Sequence, residues 1–505
     1  MIVKYKKILF LSAILMVSGC ENANFNTENP TGAPASQENP SGNNGNTLGN
    51  GESNNTNNNG GGKDNNNSDH QSSTSSSLSD YSFIGSGYGK LTHPAQPAPG
   101  HQVPYVPNLA KINPSSVVYV SPNGSGNGLT KATPAKLTNV LKAGAHNKTI
   151  VALDGDYRIE GITLRNMHHV NLISYNKWGA KLVGTGESIF NLGNANVNVE
   201  QFSIVGFEAV GETKRYFIFC AGNAKTLNVH DIYISDMKFH DFMVTIYGGL
   251  QSHDWTVDKS VHYDSAGSYL WYMMGWHHSV INSVMYNNGR TSLVVRGCYT
   301  PEEDYDYYNH ENNTLITERS KHFLADNDWT HMIVNNTFGS NIDNHNRTIN
   351  SHIGIFYQTP GDEKNQHMAE DVYYPPKNIL IANNAFLDKG FDHKYPINIS
   401  AERGINVPNK VESVNGITIK NNYTDRSRMV GEHTYSINSL DLSKNETDIP
   451  ESSFGFKDNV KRDYHLKADS LLIDKGASDI WKDNSDAGSK NRDNRPDIGA
   501  FEASK

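Results

Sequence analysis

Cysteine is nearly missing, with 3 in 505 residues, which excludes a scaffold held by disulfides. No apolar run is long enough for a chain that crosses a membrane many times. Charge is sparse too: charged residues make up 19 % and the balance is −9, from 44 Lys+Arg against 53 Asp+Glu. No global basic field exists to hold nucleic acid, so no nucleic-acid partner is expected, and a polyanion would need a local cationic patch. Neutral polar residues take the place of charge: Asn, Ser, Thr and 43 Gly, with 25 Tyr supplying much of the 10 % aromatic content. That mix favours strands and turns over long helices.

The chain opens on Lys4, Lys6 and Lys7, an apolar stretch from Ile8 to Val17, and the small-residue string Val17-Ser-Gly-Cys20. An apolar run this short reads as an export signal, not a span. The last four residues resemble the lipobox of bacterial lipoproteins, which implies cleavage before Cys20 and diacylation of its thiol; stable anchoring takes more than one acyl chain. Glu21 follows the cysteine, and by the same resemblance the expected address is the outer membrane or surface of a Gram-negative cell. Residues 21–110 are rich in Asn, Gly and Ser and cannot form a core. A flexible tether is expected, with a root-mean-square reach of about 40 Å for its first sixty or so residues.

Beyond the tether, short apolar segments end repeatedly in a polar pair: Ile232 to Asp236, Val284 to Asn288, Met332 to Asn336, Ile379 to Asn384 and Ile417 to Asn422. Asn287, Asn335 and Asn383 are 48 residues apart, which two turns of about two dozen residues fit. Such a period, with short strands and Asn-marked bends, suits a solenoid of parallel strands in which each turn buries the face its neighbour leaves open. Asn tolerates left-handed backbone angles and its amide can bond to its copies above and below. The fold class expected is all-β, a parallel β-helix over 111–440, with 441–505 closing it.

Three segments carry a more specific likeness: Val118 to Gly128 (VYVSPNGSGNG), Thr133 to Leu137 (TPAKL) and Thr149 to Tyr157 (TIVALDGDY). They resemble the opening of right-handed parallel β-helix proteins of the pectate-lyase superfamily, especially family nine polysaccharide lyases. Leu472 to Gly476, Asp486 to Gly488 and Arg495 to Glu502 resemble the closing segment of bacterial extracellular β-helix proteins. The resemblance implies that substrate lies across one parallel sheet, in a groove lined by outward side chains of successive turns. Candidate groove strands are Met243 to Tyr247, Tyr269 to Met273, Ser292 to Arg296, Thr314 to Arg319, His352 to Gln358 and Pro396 to Ser400.

In Leu293-Val-Val-Arg296, alternation puts Leu293 and Val295 inward and Val294 and Arg296 outward. The neighbouring turns bring Trp271, Glu318, Arg319, His352, Tyr357 and Arg403 to the same face, with Lys321 just beyond. Such a patch combines cations for a uronate carboxylate with aromatic faces for sugar rings. β-Elimination on a uronic-acid polymer requires the carboxylate neutralised and a base near the C5 proton. Arg296 and Arg319 are candidates for the first task, Lys321 or His352 for the second, and Tyr357 for protonating the leaving oxygen; Trp271, Glu318 and Arg403 would bind substrate. Duller readings stand beside these: Arg296 as a partner of Glu302, Glu303 or Asp304, Trp271 as core cover, His352 as surface. The turn Leu315 to Ser320 faintly resembles the catalytic turn of family six lyases, with Arg319 where they place lysine, and arginine is a poor proton acceptor.

Ca²⁺ is the one cofactor with oxygens on offer, in the acidic run Glu302 to Asp306, although the Asp-Asp-Gly-aromatic-Asp cluster of family nine does not occur and the metal site stays unknown. His277-His278 would point to opposite faces, which argues against zinc, and His331 falls at an inward position. Cys220 and Cys298 read equally as a disulfide or as two buried thiols. The expected protein is a monomeric, lipid-anchored lyase of an acidic polysaccharide; hydrolysis, C5 epimerisation and binding without turnover are the alternatives.

Overall fold

The computed structural model describes residues 83–88, 107, 109, 112–193, 197–212, 216–220, 228–249, 252–265, 269–275, 277–288, 291–298, 330–339, 351–357, 377–388, 395–401, 414–431, 437–480, 485–488 and 490–503. Among them, strands stack into a 12-stranded, a 9-stranded and an 8-stranded sheet, called here the first, second and third. All pairings within them are parallel. The chain visits first, second and third sheet in that cyclic order, as in Met167–Ser174, Ala180–Gly184 and Ser188–Asn191, followed by Asn198–Val205 back in the first sheet. The fold is thus a parallel β-helix. The helix Leu137–Lys142 adds Leu137 and Leu141 to the core near the N-terminal end.

The corner from first to second sheet is short, two residues in every described rung except the one at residues 175–179. Gly206, Asp236, Lys259, Asn282, Asn335, Asn383 and Asn421 each begin a two-residue bend there, with φ between 49° and 81°. From Met237 on, the second residues of these bends form a ladder. Backbone N–H groups of Met237, Ser260, Ser283, Asn336, Asn384 and Asn422 donate to the side chains of Ser260, Ser283, Asn336, Asn384, Asn422 and Asn445 in turn, at 2.8–3.2 Å. Amide nitrogens of Asn336 and Asn384 donate inward to Val280 O and Ile333 O. The expectation that asparagines would bond to their copies holds for this column.

The expected spacing does not hold. Asn282, not Asn287, is the register mate of Asn335, because Ile281 pairs with Val334. Asn287 bends the corner from second to third sheet, above Asp264, whose carboxylate accepts from its amide. The ladder contacts span 23 residues between Ser260 and Ser283, 53 to Asn336, 48 to Asn384, 38 to Asn422 and 23 to Asn445. An interval of 48 residues is therefore one turn with a long insertion, not two turns of two dozen. Hydrogen-bond register is blind to how much chain intervenes.

Inside, one apolar cluster runs the length of the coil, from Val120 through Phe202, Trp255 and Leu293 to Ile419. The N-terminal boundary lies earlier than residue 111: Phe83, Ile84 and Leu109 pack with Val151, Ile173, Val205 and Tyr233 on the outer side of the first sheet. At the other end, Phe454, Phe456, Tyr464, Leu472 and Ile498 fold back against Val284, Ala385 and Tyr423 of the second sheet. Arg492, buried, ties that segment down through Glu502, Gly499 O and Asn282 Oδ1. Cys220 is a buried free thiol, pushed up to about 12 by burial. Residues 1–82, where the expected signal, Cys20 and most of the expected tether fall, lie outside the described residues, and among the described residues no helix is long and apolar enough to cross a membrane.

Candidate functional site

Five of the six candidate strands fall in the third sheet: Val244–Tyr247, Tyr269–Gly275, Leu293–Cys298, Ile353–Tyr357 and Ile397–Ala401. The sixth does not fit between its neighbours, because Leu293–Cys298 pairs directly with Ile353–Tyr357. Glu318, Arg319 and Lys321 lie outside the described residues, as do Arg403 and the run 302–306.

Register sorts the remaining candidates. Phe190, Ile218, Ile246, Trp271, Leu293, Ile353 and Ile397 form one column, and all belong to the core cluster. Trp271 is therefore not on the outer face: it is fully buried, 6.0 Å from the Trp255 ring and 4.9 Å from His278. The phase of the strand, fixed by the apolar partners above and below, turned it inward. His352 is also fully buried, with Nε2 2.9 Å from Asp388 Oδ1 and its ring beside Phe338 and Phe386. A group sealed in the core cannot reach a substrate proton, so His352 drops out as the base. Arg296 pairs with Phe356 and then Ser400, whereas Tyr357 pairs with Ala401, one residue further along. Arg296 and Tyr357 thus lie on adjacent rungs without sharing a column. His331 is inward, aligned with Ile379, as expected.

The alternate column is outward: Asn191, Phe219, Tyr247, Tyr272, Val294, Gly354 and Asn398. Three consecutive rungs carry rings. Phe219 and Tyr247 lie 5.5 Å apart, and Tyr247 stacks on Tyr272 at 5.0 Å and 7°. Tyr216 and Tyr269 flank them, 4.7 Å from Phe219 and 6.0 Å from Tyr272. Rings stacked along the coil axis cover one another's faces; Phe219 and Tyr247 stay half-buried and Tyr272 is buried at 8 % exposure, and tyrosine rings there combine apolar area with a hydroxyl able to hydrogen bond. The sequence reading missed this patch because its strand phase at residue 271 was off by one; a Phe or Tyr in each of Tyr216–Phe219, Val244–Tyr247 and Tyr269–Gly275 was the available signal.

The third sheet is also where the chain spends extra length. Its return to the first sheet takes only residues 248–251 and 276–277 in the middle rungs, then 299–330, 358–376 and 402–413 in the last three. Long connections of this kind are usually functional. They start from the strands Leu293–Cys298, Ile353–Tyr357 and Ile397–Ala401.

Two polar clusters lie on other faces. On the second sheet, Glu208 accepts from Lys181, Lys238 and His240 at 2.8–3.3 Å. Burial pushes its carboxyl up, but those three partners outweigh it and hold Glu208 at about 2. His240, Tyr263 and Tyr286 stack at 5.0 and 5.2 Å beside it, and burial with nearby carboxylates raises Tyr263 to about 12. On the first sheet, His168 and His230 flank Glu200, and His253 and His277 flank Asp254. Burial opposes the ionised Asp254, but the two histidines hold it far below the usual carboxylate range. Among the described residues no group of three or more His, Cys, Asp or Glu is arranged to hold a metal ion.

No family model matches the sequence, and no curated protein matches it. Among solved structures, pectate lyase Pel9A is 14 % identical, covering 78 % of this chain and 98 % of its own, with a TM-score of 0.40. A rhamnogalacturonan lyase is 12 % identical over 67 % of this chain and 90 % of its own, TM-score 0.36. The catalytic unit of a thermostable GH87 α-1,3-glucanase from Streptomyces thermodiastaticus is 14 % identical over 65 % and 56 %, TM-score 0.34. At these values the likeness carries no weight on chemistry, and the fold rests on the pairing of the strands described above.

Proposed function

We propose that the third sheet binds an acidic polysaccharide along its outward column and that the protein cleaves it by β-elimination at the rungs of Arg296 and Tyr357. The observation that carries this reading is the coincidence, on one sheet, of the aromatic patch Phe219–Tyr247–Tyr272 with the three longest returns to the first sheet. Sugars offer apolar C–H faces and hydroxyls, which suit ring edges and phenol oxygens. In the elimination, a base removes the C5 proton, its electrons form the C4–C5 double bond, and the C4–O bond breaks as the leaving oxygen is protonated. Arg296 and Arg319 are assigned to the carboxylate, Lys321 to the C5 proton and Tyr357 to the leaving oxygen, with Glu318 and Arg403 as substrate contacts. A lysine acts as base when neighbouring cations lower its pKa. Export and acylation at Cys20, supported by the order of basic start, apolar stretch and lipobox, would hold this activity at a membrane surface.

Incubation with pectate, alginate, glucuronan and glycosaminoglycans, followed by the ultraviolet absorbance of the new double bond, tests the reaction. Absorbance that rises with one polymer and is lost in Lys321→Ala is the expected result. Folded protein silent on all four overturns the lyase reading. Binding of a polymer without turnover, abolished by Tyr247→Ala, would instead make this a carbohydrate-binding protein, a second reading favoured by the aromatic patch itself.

A further inference from the structure

The chain just after the Asn/Gly/Ser-rich stretch is bound to one place on the coil. Gly85 N donates to Tyr175 O at 2.7 Å, and Lys177 N donates to Ser86 O at 3.0 Å. Ser86 N donates to Asn176 Oδ1 at 2.8 Å, and Tyr88 Oη donates to Ser174 O at 2.6 Å. Phe83 and Ile84 are buried, at 4 % and 7 % exposure, in one apolar cluster with Val151, Ile173 and Val205, which pair in a single column near the ends of three successive strands of the first sheet, and with Tyr233 of the next strand. Tyr88 lies so close to Gly206 that a Cβ there would meet its hydroxyl at 2.0 Å. Without this strap the column would be a continuous apolar patch on the surface, which soluble coils avoid. Residues 174–177 and 206 form the corner between first and second sheets. In a coil that visits three sheets in cyclic order, that corner lies across the core from the third sheet.

We propose that the strap 83–88 fixes the point where the N-terminal chain leaves the β-helix, at the corner between first and second sheets, so that the departing chain leaves the third sheet clear. The inference rests on the reading of Cys20 as anchor and of the third sheet as binding face for its purpose, but not for its geometry. A chain leaving beside the third sheet would instead compete with a long polymer for the same face.

Distances between nitroxide labels in the full chain test it, with Cys20→Ser, Cys220→Ala and Cys298→Ser removing the native thiols. Labels at Ser79 and Asp156 report on the corner, and labels at Ser79 and Thr163 report on the third sheet in the same turn; a pair at Asp156 and Thr163 checks that the coil is folded. The expected result is a shorter and narrower distribution for 79–156 than for 79–163. In Phe83→Asp with Ile84→Asp, the 79–156 distribution should broaden at least twofold while 156–163 stays unchanged. A 79–163 distance equal to or shorter than 79–156 overturns the proposal, whatever the double variant does. No sugar or lipid enters the measurement, so this result stands apart from a failure of the functional reading.

Discussion

Two places where the chain turns between sheets behave oppositely. The corner from first to second sheet takes two residues in eight of nine described rungs and from Met237 on is bridged by the Ser/Asn ladder, whereas the return from third to first sheet ranges from residues 276–277 to residues 299–330. At the tight corner the first residue must accept a positive φ and the second must bridge buried N–H groups, so few residue types serve. At the return no such constraint acts, and length can be added at the modest cost of loop closure. Stability is therefore concentrated at one corner, and variation, with the candidate site, at the opposite side.

The contrast can be broken or sharpened by substitution. The largest effect is expected in the shared core: Trp271→Ala should cost about 4 kcal/mol by denaturant titration, as for other buried aromatics, while the protein that remains folded keeps its polymer affinity. Unchanged stability with lost binding would restore Trp271 to the face. Asn384→Ala comes next, at roughly 3 kcal/mol, because it strands the N–H and amide donors of Asn336; a cost below about 1 kcal/mol would show that the ladder is decoration. Tyr247→Ala with Tyr272→Ala should weaken polymer binding about tenfold, equivalent to about 1.4 kcal/mol, measured by affinity electrophoresis, and an unaltered mobility would remove the face from consideration. Glu208→Gln tests the second sheet. Its carboxyl sits at about 2 instead of 4.5, so its contribution is full above about pH 4.5 and disappears as pH falls through about 2. The variant should lack that portion of the decline in melting temperature over the same window. Smallest of all, Arg296→Ala should change stability by no more than about 0.5 kcal/mol while reducing the salt dependence of polymer binding.

Reading the sequence located the strands of the third sheet well and their facing residues poorly. Leu293 and Val295 were rightly inward, and Val294 shares the outward column, although it is covered at 1 % exposure. Trp271 was placed outward because alternation was counted from an uncertain strand start, and one residue of error inverts every side chain. His352 looked like a surface histidine because nothing nearby in sequence announces Asp388, 36 positions on, which reaches it only through the stacking of turns. The regularity of 48 between Asn287, Asn335 and Asn383 joined two different corners.

Composition and pattern by themselves determined an all-β coil of parallel strands, bends made by residues that tolerate left-handed angles, and a chain poor in disulfide and global charge. These are local properties, set by backbone sterics and side-chain chemistry within a few residues. Which asparagine stands above which, which ring faces solvent, and how many residues fill a turn were decided only by the tertiary structure. Register between turns is fixed by hydrogen bonds and core packing across tens of residues of intervening sequence, and that coupling leaves no periodic trace once insertions of unequal length enter the turns.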